Sequence, residues 1–124
     1  MDFGYPRPQL ARQQWGDSGF HAACWYEREF VCMPADDRVI LRFGAVDCAA
    51  QVWVNGQLAV AHDRGHTPFF CDITTMLERS GNQTVTVCAQ NDPQDLAKPR
   101  GKQDWQRESH SIWYPRTTGI WQTV

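Results

Sequence analysis

The stretch AQVWVNGQLAVA, residues 50–61, is the clearest structural signal in the chain. Apolar residues stand on both sides of the pair Asn55-Gly56. An Asn-Gly pair favours a type I′ turn, because both central positions of that turn need a positive φ. We therefore predict a β-hairpin with strands at 50–54 and 57–61. Replacing Gly56 by a β-branched residue should cost more stability than any nearby surface change.

Further short strands are predicted on both sides of this hairpin. Their ranges are 24–31 (CWYEREFV), 38–43 (RVILRF), 69–71 (FFC), 84–89 (TVTVCA) and 119–124 (GIWQTV). The stretch 84–89 alternates most regularly and is the best candidate for a central strand. Residues 72–79 are interpreted as one or two helical turns, with Asp72 as N-cap and Gly81 or Asn82 at the end. Six or seven short strands favour an all-β antiparallel sandwich or jelly roll.

Length and composition are typical of one globular, soluble domain. The chain has 124 residues, 42% of them hydrophobic and 21% charged, with a formal net charge of −2. A net charge this small and negative does not favour binding to nucleic acid or to an anionic membrane. Prolines and glycines predict an irregular segment at 1–23, followed by a β-sandwich at 24–124. No apolar run is long enough for a membrane span, and the first ten residues do not resemble a signal peptide.

Five cysteines, at positions 24, 32, 48, 71 and 88, give an odd count without paired spacing. This argues against a disulfide framework, and most of the cysteines have apolar neighbours, as small buried residues do. A reducing compartment fits this usage better than an oxidising one, so we expect a cytoplasmic protein.

Two histidines four residues apart, His62 and His66, raise the question of a metal site. The spacing would suit zinc on a helix, but Gly65 and Pro68 argue against a helix and no third ligand follows from the spacing. His21 and Cys24 form a weaker pair. We therefore predict no metal site and no cofactor.

Paired carboxylates are the other candidate for chemistry. Glu27 and Glu29 share one face of the first predicted strand, about 7 Å apart, which lies within the range of an inverting glycosidase. Solvated strands produce the same pattern far more often. Asp104 and Glu108 are interpreted as ordinary loop charges. No complete catalytic set is found in the sequence, so the chain alone is not expected to be an enzyme.

The carboxy-terminal stretch 92–124 is predicted to be a long loop rich in aromatic and charged side chains. It carries Trp105, Trp113, Tyr114 and Trp121 beside several basic residues. Loops of this length inside small domains are usually functional or disordered, and disordered segments are poor in aromatic residues. The loop could line a sugar site, form a partner surface, or simply cap its own core.

A resemblance to a known family emerges from an ordered series of motifs. The motifs are RVILRFGAVD at 38–47, QVWVNGQL at 51–58, TPFFCDIT at 67–74, PRGKQDW at 99–105 and IWYPRTTGIWQTV at 112–124, with YPRPQL at 5–10 as an opening phrase. Together they resemble the amino-terminal sugar-binding domain of glycoside hydrolase family two. That family includes β-galactosidases, β-glucuronidases and β-mannosidases.

The resemblance implies a galactose-binding-like jelly roll that precedes an immunoglobulin-like domain and a catalytic TIM barrel. The catalytic glutamates of the family belong to the barrel. The match also implies that Asp92 helps to bind the terminal sugar, and that Trp105, Trp113 and Tyr114 pack on the barrel. The alternative interpretation of Asp92 is a turn-forming aspartate before proline, which is a common arrangement.

The chain departs from the family between YPRPQL and the first predicted strand, where relatives usually carry further strands. This predicts that some early strands are missing, either in a fragment with an internal loss or in a divergent small form. An incomplete jelly roll exposes a sheet edge and invites self-association. Three functions remain open: a non-catalytic domain of a β-glycosidase, an independent carbohydrate-binding module, and a purely structural assembly domain.

Overall fold

The computed structural model describes residues 22–35, 37–92, 95, 97–98, 101–104, 110–114 and 118–124. These ranges contain eight strands: β1 Ala23–Val31, β2 Ile40–Phe43, β3 Val46–Asp47, β4 Ala49–Val54, β5 Gln57–His62, β6 Phe69–Asp72, β7 Asn82–Gln90 and β8 Gly119–Ile120. One short 3₁₀ turn, Thr74–Met76, lies between β6 and β7. Nowhere in these ranges is there a helix with the length and hydropathy that crossing a membrane requires.

The strands form one large sheet and two small ones. The large sheet has the order β1-β7-β4-β5, and the small sheets pair β2 with β6 and β3 with β8. Every one of these pairings is antiparallel. Strand β7 lies between β1 and β4, which confirms the prediction of a central strand at 84–89. The predicted all-β antiparallel sandwich is confirmed.

The core lies between the large sheet and the two small ones. From the large sheet it receives the inward-facing valines Val52, Val54, Val85 and Val87, all completely buried. Phe43 of β2 and Phe69 of β6 stack on each other on the opposite side, with ring centroids 4.8 Å apart. Each fully buried side chain of this size contributes roughly 1.5–3 kcal/mol of hydrophobic stabilisation.

The predicted hairpin is confirmed, and its turn also anchors the neighbouring segments. Asn55 and Gly56 have φ values of 49° and 78°, as a turn with positive φ at both positions requires. The Asn55 amide donates to the carbonyl oxygen of Met76 at 2.8 Å and to Oε1 of Gln83 at 2.6 Å. Its side-chain oxygen accepts a hydrogen bond from the backbone N–H of Thr84 at 2.8 Å. The turn therefore fixes the position of β7 as well as the register of its own hairpin.

Of the one or two helical turns predicted at 72–79, the structure has one, the 3₁₀ turn Thr74–Met76, and Oδ1 of Asp72 accepts a hydrogen bond from the N–H of Thr74 at 3.0 Å. Asp72 ends β6, and only a single 3₁₀ turn follows before Leu77 returns to extended backbone. The buried side chain of Gln83 accepts from the N–H of Glu78 at 2.8 Å and donates to the Glu78 carbonyl oxygen at 2.9 Å. These are the backbone groups that a longer helix would have used, so tertiary hydrogen bonding overrides the local pattern.

The closing strand is shorter than predicted, because only Gly119 and Ile120 pair with β3. The chain continues beside residues 44–45 through single hydrogen bonds, from Trp121 N to Ala45 O at 3.3 Å and from Gly44 N to Thr123 O at 2.8 Å. Residues 1–21 lie outside the described ranges. The expectations of an irregular segment at 1–23 and of missing early strands concern this part of the chain and stay predictions.

Candidate functional site

Several loops converge at one end of the sandwich, where β4 begins and β5 and β7 end. We call this region the loop end and define it as residues 47–48, 62–66, 90–92, 101–104 and 110–114. The backbone N–H of Cys48 donates to the carbonyl oxygen of Gln90 at 3.3 Å, which joins the segment after β3 to the end of β7. The loop end is thus built by segments that are distant in sequence.

The carboxylate of Asp47 ties three parts of the loop end together. Asp47 is only 8% exposed, and its Oδ2 accepts a hydrogen bond from Nε2 of Gln103 at 2.9 Å. The loop after β5 packs so closely on it that a Cβ atom at Gly65 would lie 2.8 Å from Asp47 Oδ1. A side chain at position 65 would therefore require the Asp47 carboxylate to shift. Sequence reasoning did not single out Asp47, whose only signal was its place in the motif RVILRFGAVD.

A second buried carboxylate, Asp104, organises the long loop itself. Asp104 is 1% exposed, and its Oδ2 contacts both the backbone N–H of His110 at 2.7 Å and Nδ1 of the same residue at 2.6 Å. Its own N–H donates to Tyr114 O at 2.8 Å, while Tyr114 N donates to Lys102 O at 2.9 Å. The interpretation of Asp104 as an ordinary loop charge is wrong. A buried carboxylate needs such partners to offset its lost hydration.

The residues proposed from the family resemblance have different surroundings. Asp92 is exposed just after β7, and its carbonyl oxygen accepts from the N–H of Asp95 at 3.3 Å. Trp113 is half-buried, whereas Tyr114 is 62% exposed. The structure places all three at the loop end. Trp105 lies outside the described residues.

The two histidines considered for a metal site have separate partners. Nε2 of His62 lies 3.1 Å from Arg64 O and 3.0 Å from Thr67 Oγ1, and its ring stacks on Phe69. The ring of His66 instead meets Trp121 edge-on at 5.4 Å. Among the residues that the structure describes, no group of three or more metal-ligating side chains is found. His21 is outside these residues.

The glutamates of β1 lie on the outer face of the large sheet. Glu27 and Glu29 are both exposed, and Oε2 of Glu27 accepts a hydrogen bond from Thr86 Oγ1 at 3.5 Å. Their surroundings are those of a solvated strand rather than of an enclosed catalytic cleft.

All five cysteines lie in the described part of the chain and are free thiols there. Cys48, Cys71 and Cys88 are buried, as expected for small apolar residues. Burial also raises the pKa of the Cys24, Cys48 and Cys71 thiols. Protonated thiols are poor nucleophiles, so these cysteines have a structural rather than a reactive character.

With fold and loop end established, comparison with known proteins identifies the family. The family described as glycosyl hydrolase 2 galactose-binding domain-like matches residues 6–121. The chain belongs to this family of β-sandwich domains, as the resemblance implied.

Individual relatives agree with this assignment. The β-glucuronidase of Rattus norvegicus is 38% identical over 84 residues, which cover 62% of this chain and 13% of that protein. The β-glucuronidase of Formosa agariphila is 28% identical over 111 residues, covering 87% of this chain and 11% of the relative. The solved structure of Faecalibacterium prausnitzii β-glucuronidase superposes with a TM-score of 0.53 at 36% identity, over 64% of this chain and 13% of the other. The chain thus spans about an eighth of the length of these relatives.

Proposed function

We propose that the chain is the non-catalytic, amino-terminal sugar-binding domain of a family-two β-glycosidase, an enzyme that hydrolyses O-glycosyl bonds. In this role it supports the catalytic barrel and completes its substrate pocket. The observation that carries the proposal is the architecture of the loop end. Two buried carboxylates, Asp47 and Asp104, hold the segments 101–104 and 110–114 in place, so that these segments form a fixed surface at one end of the sandwich.

That surface is suited to docking on another domain. Ile112 and Tyr114 are 77% and 62% exposed although they belong to a loop that is tightly hydrogen-bonded. Large apolar side chains held on a rigid frame are typical of surfaces that another domain covers. We propose that Trp105, Trp113 and Tyr114 pack against the barrel, and that an immunoglobulin-like domain follows in the parent enzyme. We also propose a reducing, cytoplasmic setting, because the five cysteines of the sequence are odd in number and lack paired spacing.

We propose a direct substrate role for Asp92 alone. It is exposed at the loop end, where a carboxylate could reach the mouth of a neighbouring barrel and accept hydrogen bonds from the terminal sugar. Hydrogen bonds to a charged group contribute on the order of 1.5–3 kcal/mol once water is excluded, and much less in open solvent. Asp92 should therefore matter for activity only when the barrel is present.

The genomic DNA around the reading frame gives the first test, since the proposal requires an in-frame barrel downstream. The decisive test compares Asp92→Ala and Asp92→Asn in the full-length enzyme with Asp37→Ala, an exposed aspartate outside the loop end. The Asp92 variants should lower kcat/KM roughly tenfold to a hundredfold with little change in melting temperature. The Asp37 variant should leave both unchanged.

The opposite pattern, a lower melting temperature with unaltered kcat/KM, would show that Asp92 is only a turn residue. The chain alone should hydrolyse no aryl β-glucuronide or β-galactoside. Turnover by the purified chain that is abolished by replacing Glu27 or Glu29 would contradict its non-catalytic role.

A further inference from the structure

The outer face of the large sheet carries a pair of stacked tryptophans that the loop end does not use. Trp25 of β1 and Trp53 of β4 lie on either side of β7, with ring centroids 5.5 Å apart and an interplanar angle of 22°. Trp25 is 65% exposed. The strand register explains the pairing, because Trp25 is opposite Cys88 and Trp53 is opposite Thr86, its neighbour on the same face of β7. The two rings therefore form an aromatic ridge across the central strand.

An open depression of about 470 Å³ lies on the same sheet, beside this ridge. Its polar lining consists of Gln51, His62, Asp63 and Gln90, and alanines and Cys88 complete it. Gln51 is opposite Cys88 on one side and Ala61 on the other, so it belongs to the same cross-strand row as Trp25. With strands about 4.8 Å apart, that row extends about 14 Å from β1 to β5. The ridge and the depression together are long enough for several linked sugar rings.

We propose that this surface, the Trp25–Trp53 ridge together with the adjoining depression, binds a neutral oligosaccharide. One face of the Trp25 indole stacks on Trp53, and its other face is left for the C–H face of a pyranose ring, a common use of tryptophan at sites with one apolar and one wet side. The amides of Gln51 and Gln90 can both donate to and accept from sugar hydroxyls, and the Asp63 carboxylate can accept. A few placed polar groups beside an apolar surface are the usual composition of a ligand site.

The charges on this face decide between ligand classes. Its strand residues include the exposed glutamates Glu27 and Glu29, and Asp63 lies at the depression. None of the outward-facing residues of β1, β4, β5 and β7, as described, is lysine or arginine, and the basic side chain that lines the depression is His62, whose Nε2 already contacts Arg64 O and Thr67 Oγ1. Uronic acids would be repelled here, which favours neutral sugars. A large protein partner is disfavoured, because the cores of protein interfaces are depleted in charged residues. The depression shares Asp63 and Gln90 with the loop end, but the proposed binding uses only residues of this chain and can be measured without a second domain.

The test is a titration of the 124-residue chain with cellotetraose, mannotetraose and galactotetraose, followed by tryptophan fluorescence and calorimetry. A galacturonic acid tetramer serves as the charged comparison. At least one neutral tetramer should bind saturably, with Kd on the order of 1 mM as expected for an open site. The acidic tetramer should bind at least several-fold more weakly at low salt than at high salt.

Variants assign the binding to this face. Trp25→Ala should weaken it by about tenfold, and Gln51→Ala, which removes one neutral hydrogen-bonding group, by roughly twofold to tenfold. Phe70→Ala removes a 69% exposed ring from another sheet and should change nothing. Gln51 is an exposed residue, so its variant should stay folded and remain informative even if Trp25→Ala does not. Absence of saturable binding to all three neutral tetramers, or binding that survives both substitutions, would overturn the proposal. Both of these binding results can be read independently of how the Asp92 variants change kcat/KM.

Discussion

The substitution Gln83→Leu should be among the most destabilising single changes in this domain. Gln83 is 1% exposed, yet every hydrogen-bonding position of its amide has a partner. Oε1 accepts from Asn55 Nδ2 at 2.6 Å and from Glu78 N at 2.8 Å. Nε2 donates to Cys32 O at 2.8 Å and to Glu78 O at 2.9 Å. The side chain thus links the hairpin turn, the end of β1 and the segment before β7.

Leucine has a similar size, so the change removes four hydrogen bonds and creates little cavity. Each bond contributes on the order of 1 kcal/mol net, and partners left unsatisfied in the interior cost more. Their sum predicts a loss of about 3–5 kcal/mol in the free energy of unfolding, a large part of the 5–15 kcal/mol typical of a domain.

Urea unfolding followed by tryptophan fluorescence measures this loss as a lower midpoint with an unchanged slope. The matched control is Gln57→Leu, at the exposed start of β5, which should stay within about 0.5 kcal/mol of the parent. Gln83→Glu should be destabilising at neutral pH and less so in acid, because it buries a carboxylate that can be neutralised by protonation. A Gln83→Leu cost below about 1 kcal/mol, or one equal to that of the control, would refute the reasoning.

Three further predictions follow from particular contacts. Gly119 has a φ of +123° and its α-carbon faces the hydroxyl of Tyr26, so Gly119→Ala should cost about 1–3 kcal/mol. Tyr26→Phe should recover part of that cost, and a strictly additive double-mutant cycle would contradict the contact. Hydrogen bonds from Thr74 and then Arg38 hold the pKa of Asp72 at about 2. Because this pKa is lowered, the stabilisation is present above the ordinary carboxyl range and is lost as pH falls through about 2. The stability difference between the parent and Asp72→Ala should therefore shrink between pH 4 and pH 2, and a constant difference would speak against it. Finally, the exposed apolar loop residues predict that the chain self-associates. The molecular mass measured by light scattering and the melting temperature should then both increase with protein concentration. A monomer with a constant melting temperature at high concentration would contradict this.

The parts of the fold that were predicted from sequence depend on local physics. The hairpin at 50–61 follows from the positive φ that Asn55 and Gly56 tolerate. The central strand follows from the alternation in residues 84–89, because burial of one face imposes a period of two. Family membership was also recognisable in the sequence, since a series of motifs in fixed order carries more information than any single motif.

What only the tertiary structure decided concerns contacts between segments far apart in the chain. In the sequence Asp104 resembles any loop aspartate, and only its hydrogen bonds with His110 and Tyr114 distinguish it. The local pattern of residues 72–79 would allow a longer helix than the single 3₁₀ turn, but Gln83 hydrogen-bonds to the backbone N–H and carbonyl oxygen of Glu78. The stacking of Trp25 on Trp53 needs β7 between the two strands in one register. Propensity and periodicity describe what a segment prefers alone, whereas burial and hydrogen-bond partners are set by whichever distant segment packs against it.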